Sequence, residues 1–212
     1  NCILTTTDKS AEEKIAQLKA LGAEVLVCPN HVPSDDPQSY YSQAERLARE
    51  IPNSFYVNQY YNHTNVDAHY HSTGPELWNQ TGGLITHYLA TVGTGGTISG
   101  AGKYLKEQNP SIKVIGVDAE GSVLTKFHQT GILDKSEIHS YQLEGVGKNI
   151  IPSNVEFDTI DRFVKVDDRS SAFRARQLTK SEAIFAGYSS GAVIEALMRM
   201  RREFKPTDVV VL

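Results

Sequence analysis

The residues best suited to chemistry form one short stretch, Gly93-Thr94-Gly95-Gly96-Thr97-Ile98-Ser99-Gly100. An apolar run from Leu84 to Val92 leads into it, and a helical pattern from Ala101 to Glu107 leaves it. That order predicts a strand, a glycine-rich turn and a helix start. Backbone N–H groups at a helix start lack carbonyl partners, and the helix dipole adds partial positive charge there. A phosphate is the natural guest of such a turn. Glycines let the backbone come close, and Thr94 and Thr97 add hydroxyl donors. The competing reading is a turn that needs glycine only for its dihedrals. Three glycines in four residues, with two threonines, favour the phosphate site.

Two common owners of such a turn are excluded by single residues. A dinucleotide fingerprint fits Gly93 and Gly95, but Ile98 stands where the third glycine belongs. A Walker loop fits the spacing of Gly95 and Gly100, but Ala101 replaces its lysine. A phosphate cup without a lysine remains. Elsewhere, Gly187-Tyr188-Ser189-Ser190-Gly191 satisfies Gly-x-Ser-x-Gly. It lacks an evident oxyanion-loop motif, so a hydrolase elbow is the weaker reading. Ser189 also reads as an N-cap for a helix starting at Ala192. His63, His69 and His71 surround Asp67 in a spacing that fits no standard site, so no metal is expected.

The elements that must position these residues follow from periodicity. Asn1 to Thr6 reads as a strand. Ser10-Ala11-Glu12-Glu13 reads as a capping box, opening a helix that carries Ile15, Leu18 and Leu21 and ends at Gly22. Glu24 to Cys28 is the next strand, completing a β-α-β unit. A helix is expected over 38–50, a short strand at Ser54-Phe55-Tyr56-Val57, and a polar segment without period over 58–72. Pro75 sits near the start of a further helix, which Thr81-Gly82-Gly83 ends. Lys113 to Asp118 and Arg162 to Val166 read as strands, and 171–180 and 192–202 as helices. Glu144-Gly145-Val146-Gly147 and Gly187 to Gly191 are further glycine-bearing turns. The alternation predicts an α/β fold with open, mostly parallel sheets and flanking helices, its ligand outside the carboxyl ends of the strands.

Composition narrows the class further. The chain has 212 residues, 40% of them hydrophobic, with a net charge of −4. Those values suit a globular protein and supply no basic face for nucleic acid. No apolar run reaches the roughly 20 residues a membrane span needs. Cys2 and Cys28, each beside an apolar run, read as buried thiols in a cytoplasmic protein. Both ends fall in apolar runs, so the stretch is expected to be cut from a longer protein.

Taken together, the motifs resemble a known family. Gly93 to Thr97, followed by Ile98-Ser99-Gly100, resembles the phosphate cup of the pyridoxal-phosphate β-family. These are the fold-type II enzymes, tryptophan synthase β-like in fold, that include cystathionine β-synthase and cysteine synthase. Gln59 with Tyr60, Asn65, His69 and Thr73 to Glu76 resemble the segment before the family's central helix. Gly116 to Ser122 and Glu144 to Gly147 look most like the cystathionine β-synthase branch, and Gly187 to Ala192 is closer to cysteine synthase.

The resemblance implies several roles. Gly93, Thr94, Gly95, Gly96 and Thr97 would hold the phosphate of pyridoxal 5'-phosphate, and Ser189 would face its pyridine nitrogen. Gln59 would contact the substrate carboxylate and Gly145 would line the amino-acid side. Lys148 stands where cystathionine β-synthases often place a tyrosine, so no role transfers to it. A serine at the ring nitrogen makes a weaker electron sink than an aspartate would, which suits β-replacement on serine or an activated serine. Homocysteine giving cystathionine is the first expectation; O-acetylserine with sulfide giving cysteine is the alternative. A reading of another class is a non-catalytic module that binds a phosphate-bearing ligand. The resemblance also implies a homodimer, a smaller mobile domain over 1–57 and a larger cofactor-binding domain over 58–212. It places the Schiff-base lysine and a Ser-x-Asn-Thr-Gly-type substrate loop upstream of Asn1, so the stretch is expected to be an incomplete enzyme.

Overall fold

A computed structural model describes residues 1–212. The chain divides into two compact units, Asn1–Asn58 and Gln59–Leu212. No helix is long and apolar enough to cross a membrane.

In the first unit, β1 (Ile3–Thr7) and β2 (Glu24–Cys28) pair in parallel, with Ile3 opposite Glu24 and Thr7 opposite Cys28. Helix α1 (Glu12–Ala20) connects them. The expected capping box does not form. Ala11 is the N-cap, without a side-chain bond, and the Ser10 hydroxyl lies 2.6 Å from that of Thr6. A hydroxyl one turn away has displaced the cap, a competition open to any serine beside a strand end. The C-terminus behaves as expected: Gly22 has φ +90°, Gly22 N–H donates to Lys19 O and Ala23 N–H to Leu18 O, the Schellman pattern. Helix α2 (Tyr40–Glu50) is capped by Ser39, which accepts from Ser42 N–H at 3.1 Å. Ser54 to Val57 forms no strand; Phe55 and Val57 are exposed, and the sheet of this unit comprises β1 and β2 alone. Cys2 is exposed rather than buried, while Cys28 is buried and its thiol pKa is pushed up by desolvation.

The second unit is built on a four-stranded parallel sheet in the order β5-β4-β3-β6. Its strands are β3 (His87–Thr91), β4 (Lys113–Ala119), β5 (Arg162–Val166) and β6 (Val210–Val211). Helices α3 (Thr64–His71), α4 (Thr73–Gln80), α5 (Gly96–Gln108), α6 (Leu124–Thr130), α7 (Asp168–Glu182) and α8 (Tyr188–Met200) complete it. Side chains alternate across a strand, and both faces here are covered. Tyr88, Val92 and Val114 pack with Ile98, Ala101 and Leu105 of α5. Leu89, Ile115 and Val117 pack on the other face with Ala192, Val193 and Ala196 of α8. The apolar strand runs in the sequence are the consequence.

Helices α3 and α8 both differ from the sequence reading. The polar segment over 58–72 contains α3, in which Val66 is the one buried residue. Helix α8 starts at Tyr188, not Ala192, with Gly187 as an N-cap that has no side-chain bond. Ser189 is therefore inside the helix rather than capping it. Helices α7 and α8 approach closely at Gly191, where an added Cβ would lie 2.0 Å from Ser171 O and 2.8 Å from Ala175 N. Their contact is clasped by Glu195, whose carboxylate accepts from Arg174 Nε at 2.8 Å and Arg199 Nε at 3.0 Å. Burial pushes the Glu195 pKa up, but the two guanidinium groups outweigh it and hold the carboxyl below its usual range.

A backbone clash at a helix crossing cannot be relieved by a side-chain rotation. Gly191→Ala is expected to lower stability by about 3 kcal/mol, measured by urea denaturation of the full-length protein.

Candidate functional site

The site begins where β3 ends. Thr91 is the last strand residue, Gly95 turns the chain with φ +96°, and Gly96 is the first residue of α5. The helix thus starts five residues before the sequence pattern suggested, and half of the glycine stretch is its first turn. The first bond into the helix runs from Ser99 N–H to Gly95 O at 3.0 Å. The N–H groups of Gly96, Thr97 and Ile98 precede it and have no helical carbonyl to bind. Gly95 brings no side chain that could cap them. A cavity of about 210 Å³ opens here, lined by Thr91, Gly93, Thr94, Gly95, Thr97, Ile98 and Gly145. No carboxylate is among its lining residues, which suits an anion.

The cup is wedged between neighbouring segments, and its glycines permit this. A Cβ on Gly95 would meet Val155 N at 2.6 Å and Asn154 C at 2.7 Å. A Cβ on Gly93 would lie 2.3 Å from Gly145 O, which shows how closely the second glycine loop approaches the first. Gly96 is not among the lining residues; it abuts the Asn65 side chain instead.

Neutral polar side chains hold the cup from outside. Asn65 Nδ2 donates to Gln59 O at 2.8 Å and to Thr94 Oγ1 at 3.1 Å. Because Thr94 Oγ1 accepts that bond, its own proton remains available to an anion. Asn154 Nδ2 donates to the same Gln59 carbonyl at 2.8 Å, and its buried Oδ1 has no partner. His69 bridges Thr73 Oγ1 (2.8 Å from Nδ1) and Thr97 Oγ1 (3.1 Å from Nε2). The tautomer with its proton on Nε2 leaves the Thr97 hydroxyl free to donate into the cup. Burial lowers the His69 pKa, which favours this neutral ring.

Of the residues singled out in the sequence, Gly93, Thr94, Gly95, Thr97 and Gly145 come together around one cavity. Gln59 is tied to it through Asn65. Ser189 does not line the cavity; it is half-buried as the second residue of α8. Residues 183–187 form no strand, so Ser189 has no strand-to-helix elbow, and it makes no hydrogen bond to a histidine. The hydrolase reading loses its geometry. The three histidines are engaged separately. His63 faces Asp67 and Glu156, His69 the two threonines, and His71 the edge of Tyr70. No three His, Cys, Asp or Glu side chains converge to hold a metal ion. Thr91 and Asn154 escaped the sequence reading, and Ile98 entered it without a binding role. Asn154 in particular follows Pro152-Ser153 in a loop whose only link to the cup is tertiary.

Comparison with known proteins bears on this geometry. The family described as pyridoxal-phosphate dependent enzyme matches residues 1–212. Cystathionine beta-synthase of Apis mellifera is 39% identical over 202 residues, covering 95% of this chain and 39% of the bee protein. Cysteine synthase B of Pseudomonas aeruginosa is 33% identical over 211 residues, covering 99% of this chain and 64% of that protein. The solved structure of an O-acetylserine dependent cystathionine beta-synthase from Helicobacter pylori superposes with a TM-score of 0.86 at 32% identity, covering 98% of this chain and 64% of that one. The chain thus spans about two-fifths of the bee protein and just under two-thirds of the other two.

Three substitutions probe the cup's construction. Gly95→Ala combines left-handed strain with a backbone clash and is expected to weaken pyridoxal phosphate binding by more than about tenfold, read by absorbance titration of the full-length protein. Gly145→Ala has the same sign of φ but meets no atom within 4 Å; it is expected to cost only about 1 kcal/mol of stability. His69→Ala removes the support of Thr97 and is expected to weaken the same binding about fivefold. It also changes acid stability. The folded His69 pKa lies below the ordinary 6.5, so the unfolded chain takes up the proton first. The wild type loses stability as pH falls through that ordinary value towards the lower folded one, and the variant lacks this component. Urea denaturation across a pH series measures the difference.

Proposed function

Because the chain belongs to the pyridoxal-phosphate dependent enzyme family, we propose that it is the cofactor-binding part of an enzyme that exchanges the hydroxyl of serine for the sulfur of homocysteine, giving cystathionine and water. The observation that carries this reading is the cup itself: unpaired N–H groups at the start of α5, two threonine hydroxyls and no carboxylate. These donors fit a phosphate dianion at a helix N-terminus.

Pyridoxal phosphate, when bound, supplies an electron sink that acidifies the amino-acid α-carbon and allows the β-substituent to leave. The residues of the chain divide the remaining work. Gly93 to Thr97 would hold the phosphate. Ser189, in the first turn of α8, would face the pyridine nitrogen. Its neutral hydroxyl and the positive end of that helix both disfavour a proton on the nitrogen. The sink is correspondingly moderate, which suits elimination and replacement over transamination. Gln59, its carbonyl clamped by Asn65 and Asn154, binds the substrate carboxylate. Gly145 leaves room for the amino acid beside the cup. The same reading includes a homodimer, a smaller mobile domain over residues 1–57 and a cytoplasmic setting.

A second reading has specific support. The relative from P. aeruginosa is a cysteine synthase, and the H. pylori protein is O-acetylserine dependent. O-acetylserine and sulfide would then give cysteine and acetate. Turnover by the full-length protein separates the two. Efficient use of serine with homocysteine is expected. Efficient use of O-acetylserine with sulfide, without turnover of serine and homocysteine, would overturn the first reading in favour of the second. Phosphate binding without turnover of any pair would leave the non-catalytic module.

A further inference from the structure

Lys148 is a cation without a carboxylate beside the proposed substrate pocket. Its backbone is pinned on both sides: Lys148 N–H donates to Ser122 Oγ at 2.9 Å, and Val123 N–H donates to Lys148 O at 2.9 Å. The preceding Gly147 N–H donates to Val92 O at 2.8 Å, where β3 runs into the cup. The side chain is half-buried, with Nζ 4.9 Å from the centre of the Tyr60 ring and 3.4 Å from its hydroxyl. Lys106 and Lys165, likewise half-buried, each hold a carboxylate, Asp161 and Glu137. Lys148 holds only an aromatic face and a phenol. A partly desolvated ammonium in that setting gains from any anion that reaches it.

The position of this charge follows from a closed circuit of contacts. Thr94 in the cup is bonded to Asn65, and Asn65 to the Gln59 carbonyl. Tyr60 comes next in the chain and meets Lys148. Three residues before Lys148, Gly145 lines the cavity and touches Gly93. Lys148 therefore stands three residues from Gly145 and against the residue that follows Gln59, the two positions assigned to the amino acid.

We propose that Lys148 is a specificity-determining residue that selects, as second substrate, thiols bearing a carboxylate. The inference rests on the β-replacement reading. It assigns the carboxylate of homocysteine to Lys148 and disfavours sulfide, which has none. The test uses the full-length, cofactor-loaded protein with mercaptopropionate and mercaptoethanol, matched thiols with and without the charge. Lys148→Met is expected to lower kcat/KM for mercaptopropionate about tenfold, through KM, as loss of one charge-assisted contact implies. Mercaptoethanol turnover should stay within about twofold, and Lys148→Arg should restore the preference, because it restores the charge. Calorimetric binding of the two thiols should show the same pattern. Equal loss for both thiols, or loss for neither, would overturn the proposal. If no thiol is turned over but calorimetry shows the charge preference and its loss in Lys148→Met, the β-replacement reading falls and the role of Lys148 stands.

Discussion

The second unit of this protein is organised around backbone N–H groups that the fold leaves unpaired. A helix that begins on a left-handed glycine without a side-chain cap keeps its first donors free. Burying such donors without a partner is costly, so the arrangement persists where an anion completes it. The sheet supplies the rest. Parallel strands covered on both faces direct β3 and its following turn to one end, and α5 packs back through Ile98, Ala101 and Leu105. The apolar face of α5 fixes where its donors point.

Support for the cup is neutral wherever it comes close. Asn65, Asn154 and an uncharged His69 position carbonyls and hydroxyls without adding charge that would compete with the ligand. Ion pairs lie away from the cavity lining, joining Arg174 of α7 and Arg199 of α8 to Glu195, and Lys106 of α5 to Asp161. A network of fixed dipoles keeps its orientation when the anion arrives and needs no counter-charge of its own. Lys148 departs from this pattern, since it brings a net charge against Tyr60, the residue after Gln59.

Local signals were legible in proportion to how locally they are enforced. Glycine at 95 and 22 is required by backbone conformation, and both turns could be read directly. Strand runs such as Lys113 to Asp118 were plain because burial on both faces removes alternation. Helix α3 was not plain, because it is held by close backbone approach to Gly100 rather than by an apolar stripe; a Cβ on Gly100 would lie 2.2 Å from Val66 O. The cap at Ser10 failed because Thr6, one strand end away, offered its hydroxyl a nearer partner. Ser54 to Val57 has strand-forming residues but joins no sheet.

By itself the sequence determined the α/β class, the glycine-rich turn over Gly93 to Thr97 and the family. These depend on short-range spacing and on residue types that few other structures require. The tertiary structure decided which segments surround the cup. Gly145 against Gly93, Asn154 beneath Gly95, Asn65 and His69 behind the threonines, and Lys148 against Tyr60 join residues up to 95 positions apart in the chain. Their conjunction is set by strand order and helix packing, which no local spacing encodes. The same long-range packing moved Ser189 from a presumed cap into the first turn of α8, where the helix dipole and not only the hydroxyl acts on whatever faces it.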